Sequence, residues 1–199
     1  RYLPSVLGFT IEKVDDFGNP IQLLDPVSQD TILFEVAYTT VEFAFGRAKS
    51  IQEVEERFRD YMGLIQKKLG ETNHAIVGSG IHPYWEKNEN QPVAYPRYQM
   101  LMNYLKLSRT VLGSGLHDYP QYGAFICGSQ VQLDVSKSNY LRVINVFTQI
   151  EAAKAHLFAN SVFSGADWDT KVSRDIFWEK SMHGIYPENV GVNARLFKD

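Results

Sequence analysis

The sequence predicts an α+β fold: a mainly antiparallel sheet with helices packed on one face. Three observations lead there. Short β-prone runs follow one another near the N-terminal end and can pair locally. Longer segments with apolar residues at helical spacing come next. After that, strand and helix patterns alternate without an internal repeat. With 199 residues, 44% hydrophobic and 13% aromatic, the chain can fill one core, and its length favours a single domain over residues 1–199.

Residues 9–15 and 21–25 alternate weakly on either side of Phe17-Gly18-Asn19-Pro20, a turn signal. The β-rich run 31–45 reads as a hairpin or meander and ends at Gly46. Ser50-Ile51-Gln52-Glu53 is a capping box. Behind it Ile51, Val54, Phe58, Tyr61, Met62, Ile65 and Leu69 share a helical face, with Gly70 as the C′ residue. Residues 75–81 form a short strand closed by His82-Pro83, and 86–94 a polar loop. Pro96 opens a helix to Lys106 with Tyr98, Leu101, Met102 and Leu105 on one face. Residues 113–123 are loop. A strand over 125–135 follows, then a helix from a Ser138 cap to about Asn160, and a last helix over 172–181.

The balance of charges excludes several function classes. The formal net charge is -3, and no basic block offers a footprint for nucleic acid or an anionic membrane. No apolar run reaches the roughly 18–20 residues a spanning helix needs. Arg1-Tyr2-Leu3-Pro4 has no signal-peptide pattern, and the single cysteine, Cys127, allows no internal disulfide, which fits a reducing, cytoplasmic setting. The five histidines show no HxH or HExxH spacing, and there is no P-loop, GxSxG or complete GxGxxG.

Two features point to chemistry. On the strand 125–135 one face carries Cys127, Ser129, Val131, Leu133 and Val135, the core side, where Cys127 is a buried small residue. The other carries Gln130, Gln132 and Asp134 and is either a solvated antiparallel face or a ligand-facing one. In the run 31–45, Phe34, Val36, Tyr38, Thr40, Glu42 and Ala44 share a face, and Glu42 lies between Val41 and Phe43. An acid there needs a cation or donors. It meets either an arginine such as Arg47 or Arg97, or a Mg²⁺ ion or amine, Mg²⁺ preferring carboxylate and phosphate oxygens. Arg174, near a helix start, can grip a carboxylate or phosphate in bidentate fashion.

Taken in order, these fragments are more specific than any one of them. They are Tyr38-Thr39-Thr40-Val41-Glu42-Phe43-Ala44-Phe45-Gly46, Gly80-Ile81-His82-Pro83, Pro96-Arg97-Tyr98, Gly128-Ser129-Gln130-Val131-Gln132-Leu133-Asp134, Leu157-Phe158-Ala159-Asn160-Ser161 and Ser173-Arg174-Asp175-Ile176-Phe177-Trp178. The succession resembles the glutamate–cysteine ligase family, in the branch with the plant-type enzymes and bacterial carboxylate–amine ligases, from about residue 31 to 191. The resemblance implies a curved, glutamine-synthetase-like antiparallel sheet with its active site in the concave face. It also implies a reaction: ATP phosphorylates the γ-carboxylate of glutamate, and the amine of cysteine, or another amine, attacks the acyl phosphate. Mg²⁺ and ATP are the implied cofactor and co-substrate, and the partners are small molecules. By position, Glu42 matches a metal-site acid, Gln130 and Gln132 the strand pair facing nucleotide and metals, and Arg174 a catalytic basic residue. Tyr38, Thr40, Arg97 and Asn160 are expected on the substrate side.

Two departures qualify this expectation. The family opens with a Gly-x-Glu-x-Glu strand, whereas Gly8-Phe9-Thr10-Ile11-Glu12 has Thr10 where an acid is expected. The acidic strand is then expected before residue 1. The family also continues past the Arg174 region, so residues 1–199 are expected to be a central, incomplete piece, inactive alone. Its uncovered sheet edges would favour a homo-oligomer. The alternative is a non-catalytic member acting as a ligand-binding or interaction domain.

Overall fold

The computed structural model describes residues 2–112, 117–181 and 197. The elements are α1 (Tyr2–Leu7), β1 (Thr10–Val14), β2 (Pro20–Leu24), β3 (Thr31–Phe34), β4 (Val41–Ala44), α2 (Ile51–Gly70), α3 (Pro96–Leu112), α4 (Tyr140–Gln149), α5 (Glu151–Phe158) and α6 (Ser173–Glu179). The strands form one antiparallel sheet in the order β1-β2-β3-β4, which makes the fold α+β. The chain divides into two compact units: Arg1–Gly78 with Glu89–Asn103 and Gly123–Phe125, and Ser79–Asn88 with Tyr104–Tyr122 and Ile126–Asp199. Among the described residues no helix is long and apolar enough to cross a membrane.

In the first unit, strand parity sorts the side chains. Leu23, Ile32 and Phe43 are cross-strand neighbours on one face. They meet α2, where Tyr61 and Ile65 are buried, and Phe9 completes the cluster. The Phe43 ring stacks on Tyr61 at 6.5 Å and meets the Phe58 ring edge-on at 5.5 Å. The opposite face carries the row Gln22, Leu33 and Glu42. The run 31–45 is thus a hairpin, and residues 35–40 are its turn. Phe34 pairs with Val41, on the core side, so it does not share the Glu42 face as expected. The alternation holds within each strand, but a six-residue turn resets it.

The α2 boundaries differ in detail from the sequence pattern. The Ser50 hydroxyl accepts from Glu53 N at 3.2 Å, but the Glu53 carboxylate returns to Lys49 N at 3.0 Å, not to Ser50. Gly70 is the last helical residue, and Asn73 takes the left-handed conformation that was expected of glycine. A buried acid ties this helix to the sheet. Asp30, 1% exposed, accepts from Gly46 N at 2.6 Å, Arg57 Nη1 at 2.7 Å and the Tyr61 hydroxyl at 2.7 Å. Burial and this bond push Tyr61 up to about 12.

In the second unit the core is aromatic. Tyr122 and Phe177 stack at 5.4 Å, and His117 meets both rings edge-on. His117 accepts from Tyr119 N through Nδ1 at 3.2 Å and donates from Nε2 to Phe177 O at 3.1 Å, a structural role.

Several expectations for residues 75–81 and 125–160 fail. Residues 75–81 and 125–135 are not strands; one isolated bridge, Ile81 to Ile126, stands in their place. The next rung would pair Gly80 with Cys127 through two bonds. Cys127 N does reach Gly80 O at 2.9 Å, but Gly80 N turns to Asn160 O at 3.0 Å and Cys127 O is taken by Arg174 Nη1. The ladder stops there. Beyond it Val131, Leu133 and Val135 are exposed like Gln130, Gln132 and Asp134, so no core face forms, and Cys127 is only half-buried. The single helix expected from Ser138 to Asn160 is two, α4 and α5, broken at Ile150. Ser138 does not cap: its hydroxyl lies 2.9 Å from that of Ser136, and Asn139 is the N-cap residue.

Candidate functional site

The sheet face opposite α2 carries an acidic pair. Glu42, half-buried on β4, lies across the hairpin from Leu33, and the turn beyond β3 brings the Glu35 carboxyl to it. The turn is closed by Glu35 N to Thr40 O at 3.1 Å and Thr40 N to Ala37 O at 3.2 Å. Val36 sits in it at a φ of 60°, a left-handed conformation that a β-branched residue adopts only at a cost, and Val93 N binds its carbonyl at 2.7 Å.

Burial pushes Glu42 up from 4.5 to about 7, helped by the hydrogen bond and charge of Glu35; the Arg97 charge pulls the other way. Burial penalises the charged form first, and a second carboxyl beside it raises the cost of ionising Glu42 further. Tyr98 closes the group, its hydroxyl 2.9 Å from Phe34 O and 3.3 Å from Glu35 Oε2. Burial and the Glu35 charge push Tyr98 up to about 12, so it stays a neutral donor. The arrangement can exchange the Glu42 proton for a cation, either a divalent metal or an ammonium group. Arginine Arg97, one of the two partners expected for Glu42, is thus the one whose charge it feels.

Tyr38 and Thr40 serve this turn. The Tyr38 hydroxyl donates to Asp15 Oδ2 at 2.6 Å, and Thr40 is buried with its backbone closing the turn. Burial pushes Asp15 up, but bonds from Tyr38, Asn19 and Phe17 outweigh it and hold it at about 2. A depressed carboxyl stabilises the fold above its ordinary 3.8, and that contribution is lost as pH falls through about 2. Tyr38→Phe is therefore expected to raise the Asp15 pKa and to be less stable than wild type above pH 3.8. The difference should narrow as pH falls toward 2, as followed by urea titrations across that range.

Four other expected residues lie in the second unit. The Arg174 guanidinium is held by Cys127 O, and Arg174 N reaches the Ser161 hydroxyl at 3.4 Å. Asn160, next to Ser161, is exposed and its carbonyl accepts from Gly80 N. Gln130 and Gln132 are exposed on an irregular segment and not on a sheet face. A shallow open depression lined by His117, Asp118, Tyr119, Ala166, Trp168 and Lys180 contains none of the expected residues.

Among the described residues no three His, Cys, Asp or Glu side chains form a metal-holding group. Two carboxylates are nonetheless enough for Mg²⁺ where substrate phosphates and water complete its shell, so Glu35 and Glu42 fit that role. Sequence reasoning missed Glu35, which stands seven residues before Glu42 and reaches it only through the hairpin turn. It also missed the Cys127 carbonyl as a partner of Arg174, because backbone acceptors leave no trace in residue type.

No match is found among curated proteins or solved structures. The family model described as glutamate-cysteine ligase family 2 matches residues 10–191. Since that match covers most of the 199 residues, the chain belongs to glutamate-cysteine ligase family 2, a family of carboxylate–amine ligases.

Proposed function

We propose that this protein carries part or all of an ATP-dependent ligase centre that joins the γ-carboxylate of glutamate to the amine of cysteine. A glutamate oxygen attacks the γ-phosphorus of ATP and ADP leaves. The amine nitrogen then attacks the acyl carbon, phosphate leaves, and the amine proton is released. The observation that carries this reading is the Glu35–Glu42 pair beside Arg97, in a chain matched by the ligase family over residues 10–191.

Mg²⁺, when bound, neutralises phosphate charge. Glu42 and Glu35 are the residues that would hold it, Glu42 giving up its proton to do so. Arg97 balances the pair and offers a cation to a substrate carboxylate. Arg174 meets a carboxylate or phosphoryl oxygen as developing charge builds there. Tyr38 and Thr40 act through the turn that carries Glu35, Asn160 lies on the substrate side, and the exposed amides of Gln130 and Gln132 reach the nucleotide. Partners are small molecules, and the cytoplasm supplies them.

Isothermal titration of the protein with Mg²⁺–ATP and with glutamate tests the reading, together with ADP release on adding amines. Binding of both and cysteine-dependent ADP release are expected. Absence of binding by either ligand sinks it, and release driven equally by other amino acids removes cysteine as the acceptor.

A further inference from the structure

Four segments distant in sequence meet around Arg174. Gly80 N donates to Asn160 O at 3.0 Å, and Cys127 N donates to Gly80 O at 2.9 Å. Ser161 N donates to Lys171 O at 2.9 Å and Ser173 N to Ser161 O at 3.1 Å; both serines are 1% exposed. Arg174 closes the circuit, its backbone N on the Ser161 hydroxyl and its Nη1 on Cys127 O. The circuit fixes both ends of this side chain. Nε is buried and has no hydrogen-bond partner among the described residues. A buried donor left unpaired costs free energy, so a side chain held in that state is poised for an acceptor.

Gly128 decides whether the guanidinium can lie there. A Cβ on Gly128 would stand 2.5 Å from Arg174 Nη1 and 3.7 Å from Cζ, and among the described residues, its chain neighbours aside, would meet nothing else within 4 Å. Gly128 is exposed and is not among the residues in the left-handed conformation, so its backbone accepts alanine. The clash is with the far end of a flexible side chain, which can move away. A side chain at position 128 would therefore cost the protein Arg174's position and little else.

We propose that Gly128 is a positioning residue for Arg174: its missing side chain lets the guanidinium dock on the Cys127 carbonyl, held ready for a substrate oxyanion. This rests on the reading of Arg174 as an oxyanion-binding group of the ligase. The proposal separates position from charge, because Gly128→Ala leaves the arginine in the chain.

The experiment uses the protein with Gly128→Ala, Arg174→Ala and both changes. The ¹⁵N resonance of the Arg174 side-chain Nε–H, identified by its loss in Arg174→Ala, reports docking without reference to activity. In wild type it should exchange slowly with water. In Gly128→Ala it should exchange about tenfold faster or more, while backbone amides away from residues 126–129 and 174 keep their shifts, as expected for loss of a buried environment. kcat/KM should fall about 10–100-fold, the scale of losing a group that orients a functional residue, chiefly through a raised KM for one anionic substrate. In the Arg174→Ala background Gly128→Ala should add nothing. An unchanged Nε–H resonance overturns the proposal, and so does an undiminished effect of Gly128→Ala without the arginine. A wild-type protein that binds neither Mg²⁺–ATP nor glutamate removes the ligase reading, while the resonance still decides whether Gly128 docks Arg174.

Discussion

Replacing Asp30 by alanine is expected to lower the unfolding free energy by about 3–5 kcal/mol, the scale of removing one partner from a buried ion pair. Urea titration of both proteins at neutral pH measures it. The size follows from what is stranded. Asp30 is 1% exposed and receives three donors, from Gly46, Arg57 and Tyr61. Arg57, whose side chain is 17% exposed, keeps Glu53 as a second partner, so its charge is not abandoned entirely. The Gly46 amide and the Tyr61 hydroxyl lose this acceptor. Asp30→Asn keeps an acceptor oxygen but loses the charge, and should cost less than alanine. A loss for Asp30→Ala below about 1 kcal/mol, the range of an exposed ion pair, would show that the network does not hold β3 to α2.

That network also shows how far the sequence could be read. The helix α2 and the paired β1 and β2 follow from periodicity and turn residues, which are local signals. Asp30 and Arg57 are separated by 26 residues of hairpin and helix, and neither residue type announces the other. The same limit governs the site. Glu42 was legible because an acid between Val41 and Phe43 is costly without a partner. Its partner Glu35 was not, because the apolar alternation of 31–45 hides a turn in which Val36 takes a positive φ. Gln130 and Gln132 mark the opposite failure. The alternation over 125–135 is present in the sequence, yet a strand needs a free ladder edge. Gly80 N and Cys127 O are committed elsewhere, to Asn160 and Arg174. Arg174 could be singled out by its type and its place near a helix start, but its dependence on Gly128 lies in a contact between distant segments. Residues 182–191, the end of the resemblance, lie outside the described residues.

The acidic pair carries the other large expectation: Glu42→Gln should lower ligase turnover by about 10²–10³-fold, the scale of losing one preorganised electrostatic group. It should also remove the pH dependence expected of wild type. Glu42 has a folded-state pKa raised from 4.5 to about 7, through burial first and Glu35 second. Protonated Glu42 is thus favoured by the fold, and its contribution to stability is complete below 4.5 and is lost as pH rises through about 7. Binding has the opposite slope, because a cation competes with the Glu42 proton. Mg²⁺ affinity should therefore rise with pH up to about 7 and flatten above it. Titration in buffers of different ionisation enthalpy should show protons released below that point. Glu35→Gln separates the two causes. It removes the neighbouring negative charge but leaves Glu42 buried, so the affinity profile should move to lower pH without disappearing. Glu42→Gln should flatten it. If Mg²⁺ binds wild type with no proton release below pH 7, the pair is not the cation site, and Glu42 is left as a carboxyl that the fold keeps protonated against Arg97.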